Sequence, residues 1–217
     1  MALSEDSTRI VDALWNHVTE LHAEWKIVTE LFGGGQEQAD LINATAGGFF
    51  DTVYRTLMRD ILLEVSRLTD PLATAGKDKL VLERLALLPE VQAVDGLAAR
   101  VSAKLADVKS QAASIRDYRN KYLAHLDLAV TIGPSSDVLP SITRQDIDGV
   151  LAAVSDLFNL IEQPLRDSTV LFKEVSIHGG PRALLKRLDE ARSWRSLPFE
   201  ERERWRQQQE SSRLPRS

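Results

Sequence analysis

The chain has no cysteine in 217 residues. Disulfides and thiolate chemistry are therefore excluded, and a zinc site would have to be built from histidine and carboxylate alone. No apolar run approaches the roughly 18 residues that a membrane span needs, so no membrane partner is expected. The opening Met1-Ala2-Leu3-Ser4-Glu5-Asp6 lacks the basic-then-apolar layout of a signal peptide. Positive charge is also short, with 27 Lys and Arg against 32 Asp and Glu, a formal −5. An acidic body disfavours sequence-blind adhesion to nucleic-acid backbones. These absences together read as a cytoplasmic protein without a metal or cofactor.

What is present is an ordinary globular composition, 43% hydrophobic and 27% charged, in a length that suits one domain or one domain with an appendage. Its charge is unevenly placed. Residues 181–217 carry ten Lys or Arg and six Asp or Glu, leaving +4 there and −9 over residues 1–180. A local basic cleft, or the basic tail, remains free to meet phosphate.

Hydrophobic spacing is helical almost throughout. Ile10, Val11, Leu14, Trp15, Val18, Leu21, Trp25, Val28 and Leu31 share one face of a first helix over residues 5–32, ended by Gly33-Gly34-Gly35. Leu41, Thr45, Phe49, Val53, Leu57, Ile61, Val65 and Leu68 line a second helix over residues 37–69, which Pro71 stops. Gly47-Gly48 weakens its middle by about 1 kcal/mol per glycine relative to alanine, which predicts a bend or a close helix crossing there. Residues 70–78 read as a loop, 79–88 as a short helix and 90–125 as a long one. Residues 127–141, with Gly133-Pro134, Ser135-Ser136 and Pro140, are the clearest loop.

Thr143-Arg144-Gln145-Asp146 resembles a capping box. It opens a helix through residue 161 with Ile147, Val150, Leu151, Val154, Leu157, Phe158 and Ile161 on its stripe. Pro164 should kink or end that helix. The stretch from Val170 to Ile177 fits a helical turn or an extended segment equally. Gly179-Gly180-Pro181 punctuates, and residues 183–194 suit a short amphipathic helix. The tail from Phe199, with Trp205 and Leu214 as its later apolar anchors, reads as a solvated helix fraying into disorder. The expected architecture is an all-α bundle of about five core helices, the long ones antiparallel, over residues 1–167. A helical or partly disordered extension is expected over residues 168–217.

The stripe of the long helix leads into an anomaly. Val94, Ala98, Val101, Leu105, Val108, Ala112 and Ile115 recur at helical spacing, and the next two places on that stripe are Arg119 and Tyr122. A guanidinium facing a core is costly unless something pairs with it. Either a carboxylate answers Arg119 or the seam opens there into a polar cleft. Residues six apart lie about 120° around an ideal helix and about 9 Å along it, so Arg119 and His125 do not point the same way. Tyr122 bridges them around the surface, and a long arginine and a histidine at the helix end can still converge on one small ligand. The helix end favours protonated imidazole, which suits proton transfer near neutral pH. Arg116 and Lys121 add positive charge. Such a set fits phosphate chemistry without a metal, the histidine acting as base or acid and the guanidinium stabilising charge on the phosphorus oxygens.

A structural reading stands beside the chemical one. Arg119 can be ion-paired with Asp70 or Asp127, and His125 can bond carbonyls at the helix end. Arg67 and Asp70 can pair with each other or reach the motif helix, and Asp70 also sits before Pro71, where a helix must stop. His22 reads as a packing residue bordering the first helix's apolar face beside Trp25. His17, Glu20 and His22 have no second cluster to complete a metal set. Trp194 and Trp205, among Arg192, Arg195, Arg202, Arg204 and Arg206, can stack on bases or belong to a solvated tail or docking segment.

The segment Arg119-Asn120-Lys121-Tyr122-Leu123-Ala124-His125 resembles the Arg-x(4–6)-His signature of the HEPN superfamily, including the polar residue after the arginine. Further segments resemble its abortive-infection branch of AbiU type. They are Leu14-Trp15 through Trp25 with Glu30-Leu31-Phe32, then Ala46-Gly47-Gly48-Phe49-Phe50, then Leu63 through Pro71, and Arg116 through Asp127. The resemblance covers residues 8–160 and stops short of the tail.

It implies an all-α, homodimeric domain with Arg119 and His125 as the catalytic pair and Asn120 as their polar neighbour, from two protomers lining one cleft. Arg116, Lys121, Tyr122, Asp127, Arg67 and Asp70 are the supporting candidates around them. The implied activity is a metal-independent endoribonuclease of abortive infection, or the toxin of a toxin–antitoxin pair with a protein antitoxin. RNA would be cut by attack of its own 2′-hydroxyl, leaving a cyclic phosphate. Some HEPN toxins place a tyrosine two residues after the histidine. Here that place is Asp127, a carboxylate that can orient His125 or repel RNA. The alternative within the resemblance is a non-catalytic dimer that binds a nucleotide or a protein. Arg119 and His125 facing their counterparts across a cleft would favour the nuclease; Arg119 buried against Asp70 inside one chain would favour the scaffold.

Overall fold

The computed structural model describes residues 3–74, 76–123 and 141–213. The chain is an all-α protein whose order is α1 (Glu5–Phe32), α2 (Gln36–Leu68), a two-stranded ribbon of β1 (Ala73–Thr74) and β2 (Lys77–Asp78), a 3-10 helix (Leu82–Leu87), α3 (Pro89–Ala93), α4 (Leu97–Gln111), α5 (Ala113–Tyr118), a π-wound turn (Arg119–Leu123), α6 (Arg144–Arg166), a 3-10 turn (Phe172–Glu174), α7 (Pro181–Ser196) and α8 (Phe199–Arg213). Among the described residues no helix is long and apolar enough to cross a membrane. The chain forms two compact units, one of Met1–Lys26 with Arg55–Ser176 and one of Ile27–Tyr54 with Ile177–Ser217.

The first unit carries the main core. α4 and α6 share the most extensive helix packing among the described elements. Val101, Leu105 and Val108 of α4 and Ile147, Val150, Leu151, Val154, Leu157, Phe158 and Ile161 of α6 are all buried, as are Leu14, Leu21, Ile61 and Ile115. Burying such side chains contributes about 1.5–3 kcal/mol each. Thr143 caps α6 as its sequence predicts: its hydroxyl accepts from the Asp146 N–H, and the Asp146 carboxylate accepts from the Thr143 N–H at 2.7 Å. The start of α1 is tied down by Glu90, whose carboxylate accepts from the Ser4 N–H and the Ser7 hydroxyl, both at 2.7 Å. Those bonds hold the Glu90 carboxyl down at about 2.

In the second unit Leu31, Ile42 and Phe50 form a small core, against which Phe32, Leu185 and Leu188 pack. Gln38 closes the end of α1 by donating to the Glu30 and Leu31 carbonyls at 2.8 and 2.6 Å.

Several expectations change. The bend in α2 falls at Ala46 (φ −161°, ψ 59°), just before the glycine pair, and there is open space where a Cβ on Gly48 would lie, so no close helix crossing explains that glycine. The bend slips the apolar stripe by one place: Phe50 is buried, whereas Phe49 is 64% exposed. The loop over residues 70–78 contains the β1–β2 ribbon, paired Ala73 to Asp78 and Thr74 to Lys77. The short helix after it is a 3-10 helix, shorter than expected, with Leu82 and Leu85 buried three apart.

The long helix expected over residues 90–125 is divided. Val94 is extended, and Gly96 takes the left-handed conformation at φ +69° that glycine alone adopts at little cost, so α4 starts afresh at Leu97. Pro164 does not end α6, which runs two residues further to Arg166. The missing N–H costs one bond in the last turns, while Leu165 is buried and Arg166 bonds Asp12 at 2.9 Å. The stretch left open between a turn and a strand resolves into a single 3-10 turn at Phe172–Glu174. The loop expected over residues 127–141 lies, but for Ser141, outside the described residues, as do residues 214–217.

Candidate functional site

The site is built where α2 stops and α5 gives way to the π-wound turn. Serine and threonine at the end of α2 satisfy their own helix: Ser66 Oγ donates to the Leu62 carbonyl and Thr69 Oγ1 to the Val65 carbonyl, both at 2.8 Å. Pro71 then prevents continuation, which leaves Asp70 at the corner with its side chain only 12% exposed.

Three cations converge on that carboxylate. Arg119 Nη2 lies 2.9 Å from Oδ1, Arg116 Nη2 lies 3.8 Å from the same oxygen, and Lys79 Nζ donates to Oδ2 at 2.8 Å. Arg116 Nη1 also donates to the Thr69 carbonyl, which anchors α5 to the end of α2. Arg119 Nη1 donates to the Asn120 side-chain oxygen at 3.0 Å. The Arg119 side chain is 23% exposed, following Ala112 and Ile115, both fully buried. Of the two outcomes the sequence allowed, a carboxylate answers Arg119, whose side chain solvent still reaches in part. Among the described residues one carboxylate meets three cations here, a local surplus of positive charge in an acidic chain.

The remaining supporting candidates separate. Lys121 pairs with Asp117 on its own helical face at 3.2 Å. Arg67 turns away from Asp70 and meets Glu64 at 3.3 Å, with its side chain 64% exposed, so it is not part of the cluster. Tyr122 lies in the π-wound turn Arg119–Leu123. That winding widens the helix locally, so the offset computed on an ideal helix does not apply there. His125 and Asp127 lie outside the described residues. Lys79 and the Thr69 carbonyl belong to the cluster, and nothing in the sequence marked them: Lys79 reaches Asp70 only because the β1–β2 ribbon folds the chain back.

Two titratable groups lie away from this cluster. His22 is buried, stacked on Phe172 at 5.3 Å, with Nε2 3.2 Å from the Ser155 hydroxyl. Burial, and then the Lys173 charge, press its pKa down to about 4, so it is a neutral core histidine rather than a bordering one. Glu24 is raised to about 7 by burial and by the neighbouring carboxylates Asp60, Glu64 and Glu20. His17 Nδ1 pairs with Glu64 at 2.9 Å. Among the described residues no group of three or more histidine and carboxylate side chains is placed to hold a metal ion.

An all-helical chain with an arginine-led polar segment at the end of a packed helix defines a class, the HEPN-type bundle. The family model described as AbiU2, within that class, matches residues 4–179, and the chain belongs to this family. Membership associates it with abortive infection and with HEPN domains, which include RNase-like members and scaffolds and commonly dimerise. No curated protein and no solved structure matches the chain.

Proposed function

We propose that the chain is a metal-independent endoribonuclease acting in the cytoplasm in phage defence, as an abortive-infection effector or as the toxin of a toxin–antitoxin pair. The observation that carries this reading is Arg119, 23% exposed at the end of the buried seam and one of three cations on one carboxylate. Asp70 fixes one edge of the guanidinium, and Asn120 holds Nη1. Arg119 and Arg116 neutralise a phosphodiester, with Lys121 nearby. His125 moves protons between the 2′-hydroxyl and the leaving 5′-oxygen, and the guanidinium stabilises the charge that builds on the phosphorus oxygens. The 2′-oxygen attacks phosphorus, the bond to the 5′-oxygen breaks, and a cyclic phosphate is left. Tyr122 and Asp127 are carried as supporting residues from the motif alone, Asp127 either to orient His125 or to repel RNA. A homodimer brings two such sets together, and an antitoxin protein is the natural restraint on them.

The test is RNA cleavage by the purified chain in EDTA. A His125→Ala variant is expected to keep its oligomeric state and lose cleavage by at least about 10²-fold, the scale of a removed general acid–base. Undiminished cleavage by that variant overturns the mechanism.

One observation favours a second reading. Arg119 is bonded to Asp70 within its own chain, and a guanidinium neutralised this way is less available to a ligand. On that reading the domain is a non-catalytic dimer that binds a nucleotide or a protein. Arg119→Ala then lowers stability or binding, and no cleavage occurs under any condition.

A further inference from the structure

The pair α7–α8 lies beyond residues 4–179 matched by the family and carries an arrangement of its own. Leu185 and Leu188 of α7 pack against the Leu31–Ile42–Phe50 core, and Arg182 meets Glu30 at 2.9 Å, so the base of the pair is fixed. At its far end Trp194 of α7 meets Trp205 of α8 edge-on, with ring centroids 6.1 Å apart. The guanidinium groups of Arg202 and Arg206 stand 5.8 and 5.7 Å from the Trp194 ring. Trp205 itself is 48% exposed, an indole presented to solvent between Arg204 and Arg206 in a segment that also carries Glu200, Glu201 and Glu203.

The pair carries a surplus of positive charge, all of it on α7, which has five Lys or Arg against two carboxylates, while α8 has four Arg and four Glu. Arg206 is paired with Glu203, Arg187 with Glu190 and Arg192 with Asp189. Arg195, Arg202 and Arg204 take no carboxylate partner among the described residues. Glu200 and Glu201 sit in the first turn of α8, where the helix dipole accommodates them. Two donors are also stranded. Trp194 Nε1 and Arg202 Nε are shielded from solvent and have no acceptor among the described residues, and a small opening would let acceptors such as phosphate oxygens reach them.

We infer that the α7–α8 pair is a binding element for single-stranded RNA, a base stacking on Trp205 while Arg202 and Arg204 neutralise flanking phosphates. This rests on the reading of the chain as an RNA-directed protein. The combination is the one by which proteins hold single strands without reading sequence: an aromatic platform set in positive charge. An accessible Trp beside Arg202 and Arg204, which take no carboxylate partner among the described residues, and next to the positive surplus of α7 supplies both parts.

The test is fluorescence anisotropy of the full chain with a fluorescein-labelled 12-nucleotide oligouridine, across a salt series. Trp205→Ala is expected to weaken binding by about 5- to 150-fold, the range for one stacked base, and Trp205→Phe to restore most of it. The double variant Arg202→Ala/Arg204→Ala is expected to reduce the slope of log affinity against log salt by about 1.4, two phosphate contacts at roughly 0.7 each. Circular dichroism of all variants should match the unaltered chain. If Trp205→Ala and the double variant bind like the parent, or if the parent does not bind, the inference falls. The nuclease reading is judged apart from it by cleavage in EDTA with His125→Ala, so either can fail while the other stands.

Discussion

Arg119 Nη2 and Asp70 Oδ1 are 2.9 Å apart across 49 positions of sequence, joining the end of α2 to the π-wound turn after α5. The two partners are not equivalent. Among the described residues Asp70 is the one carboxylate that three cations share, whereas Arg119 is one cation of the three. Removing Asp70 leaves partly buried positive charges facing one another, and Asp70→Ala should cost about 2–3 kcal/mol, below the full figure for a buried pair because solvent reaches the cations. Removing Arg119 leaves Asp70 with Lys79 and Arg116, and Arg119→Ala should cost about 1 kcal/mol. Urea unfolding measures both. Equal costs would show that Arg119 is as structural as Asp70.

Glu24 predicts a dependence on pH with a definite sign. Its carboxyl is raised to about 7, chiefly by burial and then by Asp60, with Glu64 and Glu20 adding to it. A carboxyl with a raised folded pKa binds its proton more tightly when folded, so the fold is favoured below the ordinary carboxyl range near 4.5 and loses that advantage as pH climbs through about 7. Solvent still reaches this group, so the loss is on the order of 1 kcal/mol rather than the value a full shift would give. Glu24→Gln should raise the Tm at pH 8 and change little at pH 4.5. A variant with no gain at pH 8 would contradict the assignment.

Gly96 holds the break between α3 and α4 at φ +69°, and a Cβ placed there meets nothing within 4 Å. Gly96→Ala therefore carries backbone strain without a clash, about 1–2 kcal/mol. Gly96→Asn should lose less, because asparagine tolerates this conformation. Thermal melts of the two variants give the comparison.

Thr143→Ala removes the hydroxyl that accepts from the Asp146 N–H at the start of α6 and leaves only the backbone N–H that donates to the Asp146 carboxylate. The expected loss is about 1 kcal/mol. Hydrogen exchange should rise first at the first turn of α6.

The parts legible in the sequence were those decided by local chemistry. The limits of α1, the capping box at Thr143 and the apolar face of α6 all follow from neighbours within a few positions. The weakness of α2 near Gly47 was also legible, although the bend itself falls on Ala46. Periodicity failed where a single backbone conformation interrupts it. The stripe from Val94 to Ile115 kept its spacing across Gly96, so the break between α3 and α4 left no trace in the hydrophobic pattern. Phe49 and Phe50 are equally apolar, and only the direction of the bend decides which one is covered.

At the candidate site, the oddity of Arg119 was visible because a charge interrupts an apolar series, and Asp70 was among its possible partners. Lys79 and the Thr69 carbonyl were not visible, because their approach depends on how the chain returns after Pro71. Arg67 looked equivalent to Asp70 and is not, since Glu64 lies one helical turn back and holds it. The Ser4 and Ser7 contacts to Glu90 span 86 and 83 positions and lie beyond any local rule.

The most direct measurement is a single-turnover assay of labelled single-stranded RNA in EDTA, comparing the parent chain with Arg119→Ala and following the Tm of both. The parent is expected to cleave, with products ending in a cyclic phosphate, and the variant to lose at least about 10²-fold, with a stability change of only about 1 kcal/mol. Cleavage that survives in the folded Arg119→Ala variant, or a parent that never cuts while the variant loses stability, would contradict the nuclease reading and leave the Arg119–Asp70 pair as a structural tie.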